Sequence, residues 1–219
     1  MTLEVIWGSG SPYAWRVLLT LEAKALGYES RLVSQNEHRK PEYLALNPRG
    51  KVPILRDGDF VLTESLAIMA YLDRKHPEPR LFGSDVEATG LIWKAISEFE
   101  SYVFPLAIRI ARPVFRGMPL DEADIGAAAA DLHGELARMD KAAAAESWLA
   151  AGEFSAADIA VYPFIEMLLR TAGKDSVQAL GLGLLPLAEH YPALADWRRR
   201  IEALPGYART YPPHWRAAA

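Results

Sequence analysis

Cysteine is missing from all 219 residues. Its absence excludes disulfides, thiolate metal sites and any protein thiol nucleophile, so sulfur chemistry here has to come from a bound thiol. Histidine is scarce: His38, His76, His133, His190 and His214 never fall at the i, i+4 spacing of a zinc-binding helix, and no metal is expected. No apolar run approaches the roughly 20 residues of a membrane-spanning helix. Met1-Thr2-Leu3-Glu4 leads straight into a strand pattern without a basic segment or a cleavage site, so a cytoplasmic location without membrane contact is expected. Neither sign of charge dominates. Lysine plus arginine number 24 against 28 acidic residues, a net charge of −4 with the signs interspersed, which argues against nucleic acid as a partner. Arg198-Arg199-Arg200 is the one basic cluster and reads as a solvated helix face.

What is present is enough apolar content, 51%, for one large domain or two small ones. The most informative stretch is Gly50-Lys51-Val52-Pro53-Ile54-Leu55, then Asp57-Gly58-Asp59, then Phe60-Val61-Leu62-Thr63-Glu64-Ser65-Leu66-Ala67-Ile68. Two apolar runs flank an Asp-Gly pair, whose residues tolerate positive φ, and this predicts a β-hairpin. Pro53 falls inside the first strand of that hairpin, where a missing N–H normally confines proline to edges. A cis Val52–Pro53 bond is one account, and it would turn the Val52 backbone toward a ligand; a place on a sheet edge is the other. Glu64-Ser65 opens a helix, where a carboxylate and a hydroxyl beside unpaired N–H groups suit the two ends of an amino acid; plain capping explains the same pair.

The rest of the chain supplies the context. Leu3 to Trp7 reads as a buried strand; a helix follows with Ser11 as N-cap, Pro12 at its first position and Gly27 as its stop. A second strand over Glu29 to Val33 completes a parallel βαβ unit. Pro41 to Leu46 is a short helix, and Ser65 to His76 is a helix stopped by Pro77. The order βαβ then ββα over 1–76 is that of a thioredoxin-like domain. Residues 77–84, with Pro77, Pro79 and Gly83, read as a linker, and 85–219, rich in alanine and leucine, as an all-helical domain. Within it one helix runs from Asp85 to Ala111, bent or broken near Pro105, and another from Leu120 to Ala145. Ser155-Ala156-Ala157-Asp158 forms a capping box with Asp in the place of Glu or Gln. A last helix spans Pro192 to Ala203, followed by an aromatic tail that wraps the surface.

The V-P-x-L run, the hairpin and E-S-x-A-I opening a helix resemble the glutathione transferase superfamily. Ser11-Pro12-Tyr13-Ala14-Trp15-Arg16-Val17 is similar to its serine-type members, above all the zeta-like S-x-x-x-W-R-V pattern, with theta- and beta-like features beside it. The capping box before a buried helix also matches, in a folding role. The resemblance implies that Val52 and Pro53 bind the cysteinyl backbone of glutathione, and that Glu64 and Ser65 hold its γ-glutamyl end. It also implies that His38 and Lys51 reach its glycine carboxylate and that Ser11 is catalytic; on the residues alone, Ser11 is equally a helix cap, His38 an exposed loop histidine and Lys51 a surface charge. Tyr102 and Arg109 are candidates for an electrophile pocket between the domains. Glutathione then serves as co-substrate, without a metal, for attack on a small hydrophobic electrophile, in a homodimer. Glutathione-dependent isomerisation, dehalogenation or disulfide reduction on the same site stays open, as does a non-catalytic binding module of the same fold. Gly8-Ser9-Gly10 is not a dinucleotide fingerprint, because Tyr13 stands where its third glycine belongs.

Overall fold

The computed structural model describes residues 2–34 and 36–216. It divides into two compact units, one formed by the chain up to Leu81 together with the segment from Glu202 onward, the other by Phe82–Ile201.

In the first unit, β1 (Leu3–Trp7), α1 (Pro12–Ala23), β2 (Tyr28–Leu32), α2 (Pro41–Leu46), β3 (Ile54–Asp57), β4 (Phe60–Thr63) and α3 (Ser65–Lys75) follow in order. The sheet order is β2-β1-β3-β4. β1 pairs parallel with β2, as a βαβ crossover requires, and antiparallel with β3, which forms the hairpin with β4 across Asp57↔Phe60. Val5, Ile6, Ile54 and Leu55 on the inner strands are fully buried, whereas β2 is an edge strand whose polar residues face outward. α1 and α3 pack together, with Trp15, Leu18, Leu21, Ile68, Met69 and Leu72 in the core. This is the thioredoxin-like arrangement that the order of elements predicts.

Two local expectations change. β3 starts at Ile54, directly after Pro53, so the proline precedes the ladder and removes no ladder hydrogen bond. α1 stops at Ala23 rather than at Gly27. Ala25 takes φ +50, its N–H reaches the Glu22 carbonyl (2.9 Å), and the Leu26 N–H reaches the Leu21 carbonyl (2.9 Å). That is a Schellman motif with alanine where glycine is usual.

The second unit is helical: α4 (Val86–Glu98), α5 (Phe104–Arg116), α6 (Glu122–Glu146), α7 (Ala156–Ala172), the single turns α8 (Asp175–Gln178) and α9 (Leu187–His190), and α10 (Pro192–Glu202), whose last residue already belongs with the first unit. A π-helical segment over Phe99–Val103 joins α4 to α5, so the helix expected over Asp85 to Ala111 is interrupted just before Pro105 and continues to Arg116. α7 is buried almost throughout, and its capping box is formed as expected, by Ser155 and Asp158.

The last single turns, α11 (Tyr207–Thr210) and α12 (Pro213–Arg216), group with the first unit. Trp15 on α1 draws them there: its indole N–H donates to Thr210 Oγ1 (2.8 Å), and Trp215 stands edge-on to it with ring centroids 5.4 Å apart.

Candidate functional site: the start of α1 and the start of α3

Ser11 is the N-cap of α1, with φ −74° and ψ 116°, and its Oγ accepts the Ala14 N–H at 3.3 Å. Pro12 occupies the first helical position, where no N–H is needed. The chain arrives from β1 by a tight turn in which the Ser11 N–H donates to the Gly8 carbonyl (3.1 Å) and Gly10 takes φ +78. A positive φ at the third residue is the mark of a type II turn, and glycine adopts it without strain. Capping uses Oγ as an acceptor, so the hydroxyl hydrogen of Ser11 can still be given to a partner.

Beside this turn, the Val52–Pro53 bond is cis, as expected. The β1–β3 register ends at Ile6↔Ile54, which leaves Val52 outside the ladder. The approach to Val52 is held from behind. The Lys51 carbonyl accepts hydrogen bonds from Tyr43 (2.7 Å) and from the Asn47 amide (2.8 Å), and burial pushes the Tyr43 phenol up to about 12, so it stays a donor. Val52 packs against the cluster of Ile6, Val33, Tyr43 and Ile54.

At the start of α3, Glu64 adopts φ +69 and ψ 113, a conformation uncommon for a residue with a side chain. Its exposed carboxylate makes no capping bond to the helix. Ser65, the first helical residue, is buried and receives a hydrogen bond at 3.4 Å from the guanidinium of Arg16, itself only 1% exposed. Arg16 also lies under the exposed ring of Tyr13, 5.5 Å from its centroid. The sequence reading used Arg16 only as part of a pattern. Nothing in its immediate sequence marks it as buried, because Trp15 and Val17 project from other faces of the helix.

Of the remaining candidates, His38 lies in a 3-10 turn (Glu37–Arg39), edge-on to Tyr43 at 6.4 Å, and its backbone carbonyl abuts Gly50. The Lys51 side chain is exposed. In the second unit, Tyr102 is 60% exposed and lines a cavity of about 590 Å³ together with Leu91, Phe99, Met139 and Val161. Arg109 is not among the residues lining that cavity. Its guanidinium is committed to Asp124 (2.5 Å), which draws the Asp124 carboxyl below its ordinary range. Among the described residues, no group of histidines and carboxylates is placed to hold a metal ion, and no helix is long and apolar enough to cross a membrane.

Comparison with known proteins places the chain among relatives. Residues 9–80 match the family model described as "Glutathione S-transferase, N-terminal domain", and residues 122–200 match "Glutathione S-transferase, C-terminal domain". Glutathione S-transferase F10 of Arabidopsis thaliana is 37% identical over 73% of this chain and 78% of its own length. Human glutathione S-transferase theta-1 is 31% identical over 82% of this chain and 73% of its own. Among solved structures, a glutathione S-transferase from the Antarctic clam Laternula elliptica superimposes with a TM-score of 0.82 at 29% identity, covering 99% of this chain and 94% of the other.

Proposed function

From the premise that this chain belongs to the glutathione S-transferase family, we propose that it is a serine-type glutathione transferase, in which Ser11 stabilises the thiolate of glutathione for attack on a small hydrophobic electrophile. The observation that carries this reading is Ser11 at the N-cap of α1, with an O–H to spare and no cysteine anywhere in the chain to compete with it.

The energetics suffice. A free thiol has a pKa of about 8.5, and lowering it by about two units takes roughly 2.7 kcal/mol. A hydrogen bond to a charged group is worth about 1.5–3 kcal/mol, and the N-terminus of a helix adds about 0.3–1 kcal/mol. Ser11 offers both at one point, so no general base is required for the thiolate to persist.

Recognition of the tripeptide falls to the neighbouring elements. Val52 offers backbone groups from outside the ladder, beside the cis-Pro53. The carboxylate of Glu64 suits the ammonium of the γ-glutamyl end, and Ser65 with Arg16 behind it suits the α-carboxylate. His38 and Lys51 are assigned to the glycine carboxylate. Tyr102 is assigned to the electrophile, with the cavity of the second unit as support; Arg109, bound to Asp124, has no such support. The family suggests a cytoplasmic homodimer.

Two measurements test the reading. Isothermal titration with glutathione should show binding at or below millimolar concentration, and its absence favours a non-catalytic module. With glutathione bound, thiolate absorbance against pH should shift upward by one to two units (about 1.4–2.7 kcal/mol) in Ser11→Ala while affinity changes little. Identical titrations would reduce Ser11 to a cap.

A further inference from the structure

The C-terminal segment reaches the turn that presents Ser11. Its docking on α1 is extensive: besides the Trp15 contacts to Thr210 and Trp215, Tyr211 stands edge-on to both Trp15 and Trp215 at 5.8 Å, and Arg209 pairs with Glu22. Thr210 and Trp215 are buried in this packing. Yet the segment makes one more contact, of a different kind. His214 Nδ1 lies 2.6 Å from Ser9 Oγ.

The approach is built into the turn. A Cβ on Gly10 would come within 2.8 Å of His214 Cε1, so the residue between Ser9 and Ser11 has no room for a side chain while the imidazole is there. Ser9 and Ser11 belong to the same four-residue turn, closed by the Ser11 N–H to Gly8 carbonyl bond. The direction in which the Ser11 hydroxyl leaves the helix therefore depends on how that turn is held. Its own capping bond to Ala14, at 3.3 Å, is long and leaves it loosely aimed.

We infer that His214 is a positioning residue for Ser11: by bonding the Ser9 hydroxyl it clamps the Gly8–Ser11 turn and fixes the direction from which Ser11 meets the thiolate. The inference rests on the proposed role of Ser11 and extends it to the far end of the chain. A hydroxyl aimed within a narrow cone gives its full hydrogen bond to the sulfur; one that wanders gives part of it.

The test is the thiolate absorbance of bound glutathione against pH in the full-length protein. His214→Phe keeps a ring but no Nδ1, and Ser9→Ala removes the other partner at a small, partly exposed site. Each should raise the pKa of the bound thiol by about half a unit, a ~threefold lower thiolate fraction below that pKa. His214→Asn places an amide atom where Nδ1 was and should restore the wild-type curve. A contribution to stability alone would move neither curve, whereas in a Ser11→Ala background His214→Phe should produce no further shift, because its effect runs through Ser11. An unchanged thiol pKa in both His214→Phe and Ser9→Ala, with glutathione still bound, overturns the inference. So does a shift of the same size in the Ser11→Ala background. A wild-type protein that fails to bind glutathione, or a Ser11→Ala variant with an unshifted thiol, overturns the proposed function itself and this inference with it.

Discussion

Trp197 on α10 donates its indole N–H to Asp158 Oδ1 at 2.7 Å, and so ties the last long helix of the second unit to the capping box of the buried α7. The same carboxylate takes N–H groups from Leu149 (3.0 Å) and Ser155 (2.9 Å) and the Ser155 hydroxyl (3.2 Å). Burial pushes its pKa up to about 6, against the pull of these donors. A carboxyl raised above its unfolded value binds an extra proton when folded. Its contribution is therefore fully present below about pH 4 and is lost as pH rises through about 6, by up to about 3 kcal/mol. Asp158→Asn removes the titration. Urea midpoints should show the stability of the wild type relative to this variant growing as pH falls from 7 to 4; a pH-independent difference would contradict it. At pH 7, Trp197→Phe should cost about 1–3 kcal/mol by stripping a donor from a buried carboxylate.

Asp57 gives the opposite pH dependence. Hydrogen bonds from Lys75 and then Tyr71 (2.8 Å) hold its carboxyl below the usual range. That stability is present above the unfolded pKa and is lost as pH falls through the lower folded value. In acid titrations followed by circular dichroism, Asp57→Asn should be less stable than wild type at neutral pH, and the difference should shrink below about pH 4.

Lys24 is a buried cation at the end of α1. Its side chain is 0% exposed, and its ammonium is satisfied by Asp73 (2.7 Å) and by the carbonyls of His76 (2.7 Å) and Pro79 (2.6 Å). Asp73 in turn accepts the Leu81 N–H (2.8 Å), so one lysine fixes the course of the chain beyond α3. Lys24→Ala leaves these acceptors without their cation and should lower unfolding free energy by about 3–5 kcal/mol in urea. A loss under 1 kcal/mol would mean that water replaces the ammonium.

Ala25, Glu64, Ser147 and Ala151 carry side chains at positive φ, and replacing the first two by glycine should separate folding from function. Ala25→Gly, at the Schellman position, relieves a left-handed conformation costing about 1–2 kcal/mol and increases the freedom of the unfolded chain by about 0.4–1. A net gain of about 0.5 kcal/mol is expected, with glutathione affinity unchanged.

Glu64→Gly relieves comparable backbone strain, and thermal unfolding should be unimpaired. It also deletes the carboxylate assigned to the γ-glutamyl ammonium, so calorimetry should record a loss of affinity of about tenfold or more, about 1.4 kcal/mol. Full affinity in this variant would remove Glu64 from the site.

Much of the local structure around the candidate site was legible because its signals are local. Asp57-Gly58 specifies a hairpin by itself, a proline in an expected strand invites a cis bond, and Ser11-Pro12 and Ser155 to Asp158 cap helices with partners a few residues away. The Arg109 pairing was not legible, because an arginine facing an expected pocket and one paired with Asp124 on the next helix look alike in one dimension. Gly27 misled because a glycine after a helical pattern usually stops it, whereas the backbone turned two residues earlier, at Ala25.

The amino-acid sequence by itself determined the order of elements, the caps and the absence of a protein thiol, since each depends on neighbours along the chain or on composition alone. Only the tertiary structure decided that Arg16 lies behind Ser65, that Lys24 gathers carbonyls from beyond α3, and that His214 stands over Gly10. Those pairings join residues 49, 52 and 205 positions apart, counting His214 to its partner Ser9, and no periodicity reaches that far. They are fixed by which apolar faces bury one another, here the aromatic tail against Trp15, and the polar contacts form where that packing happens to bring them together.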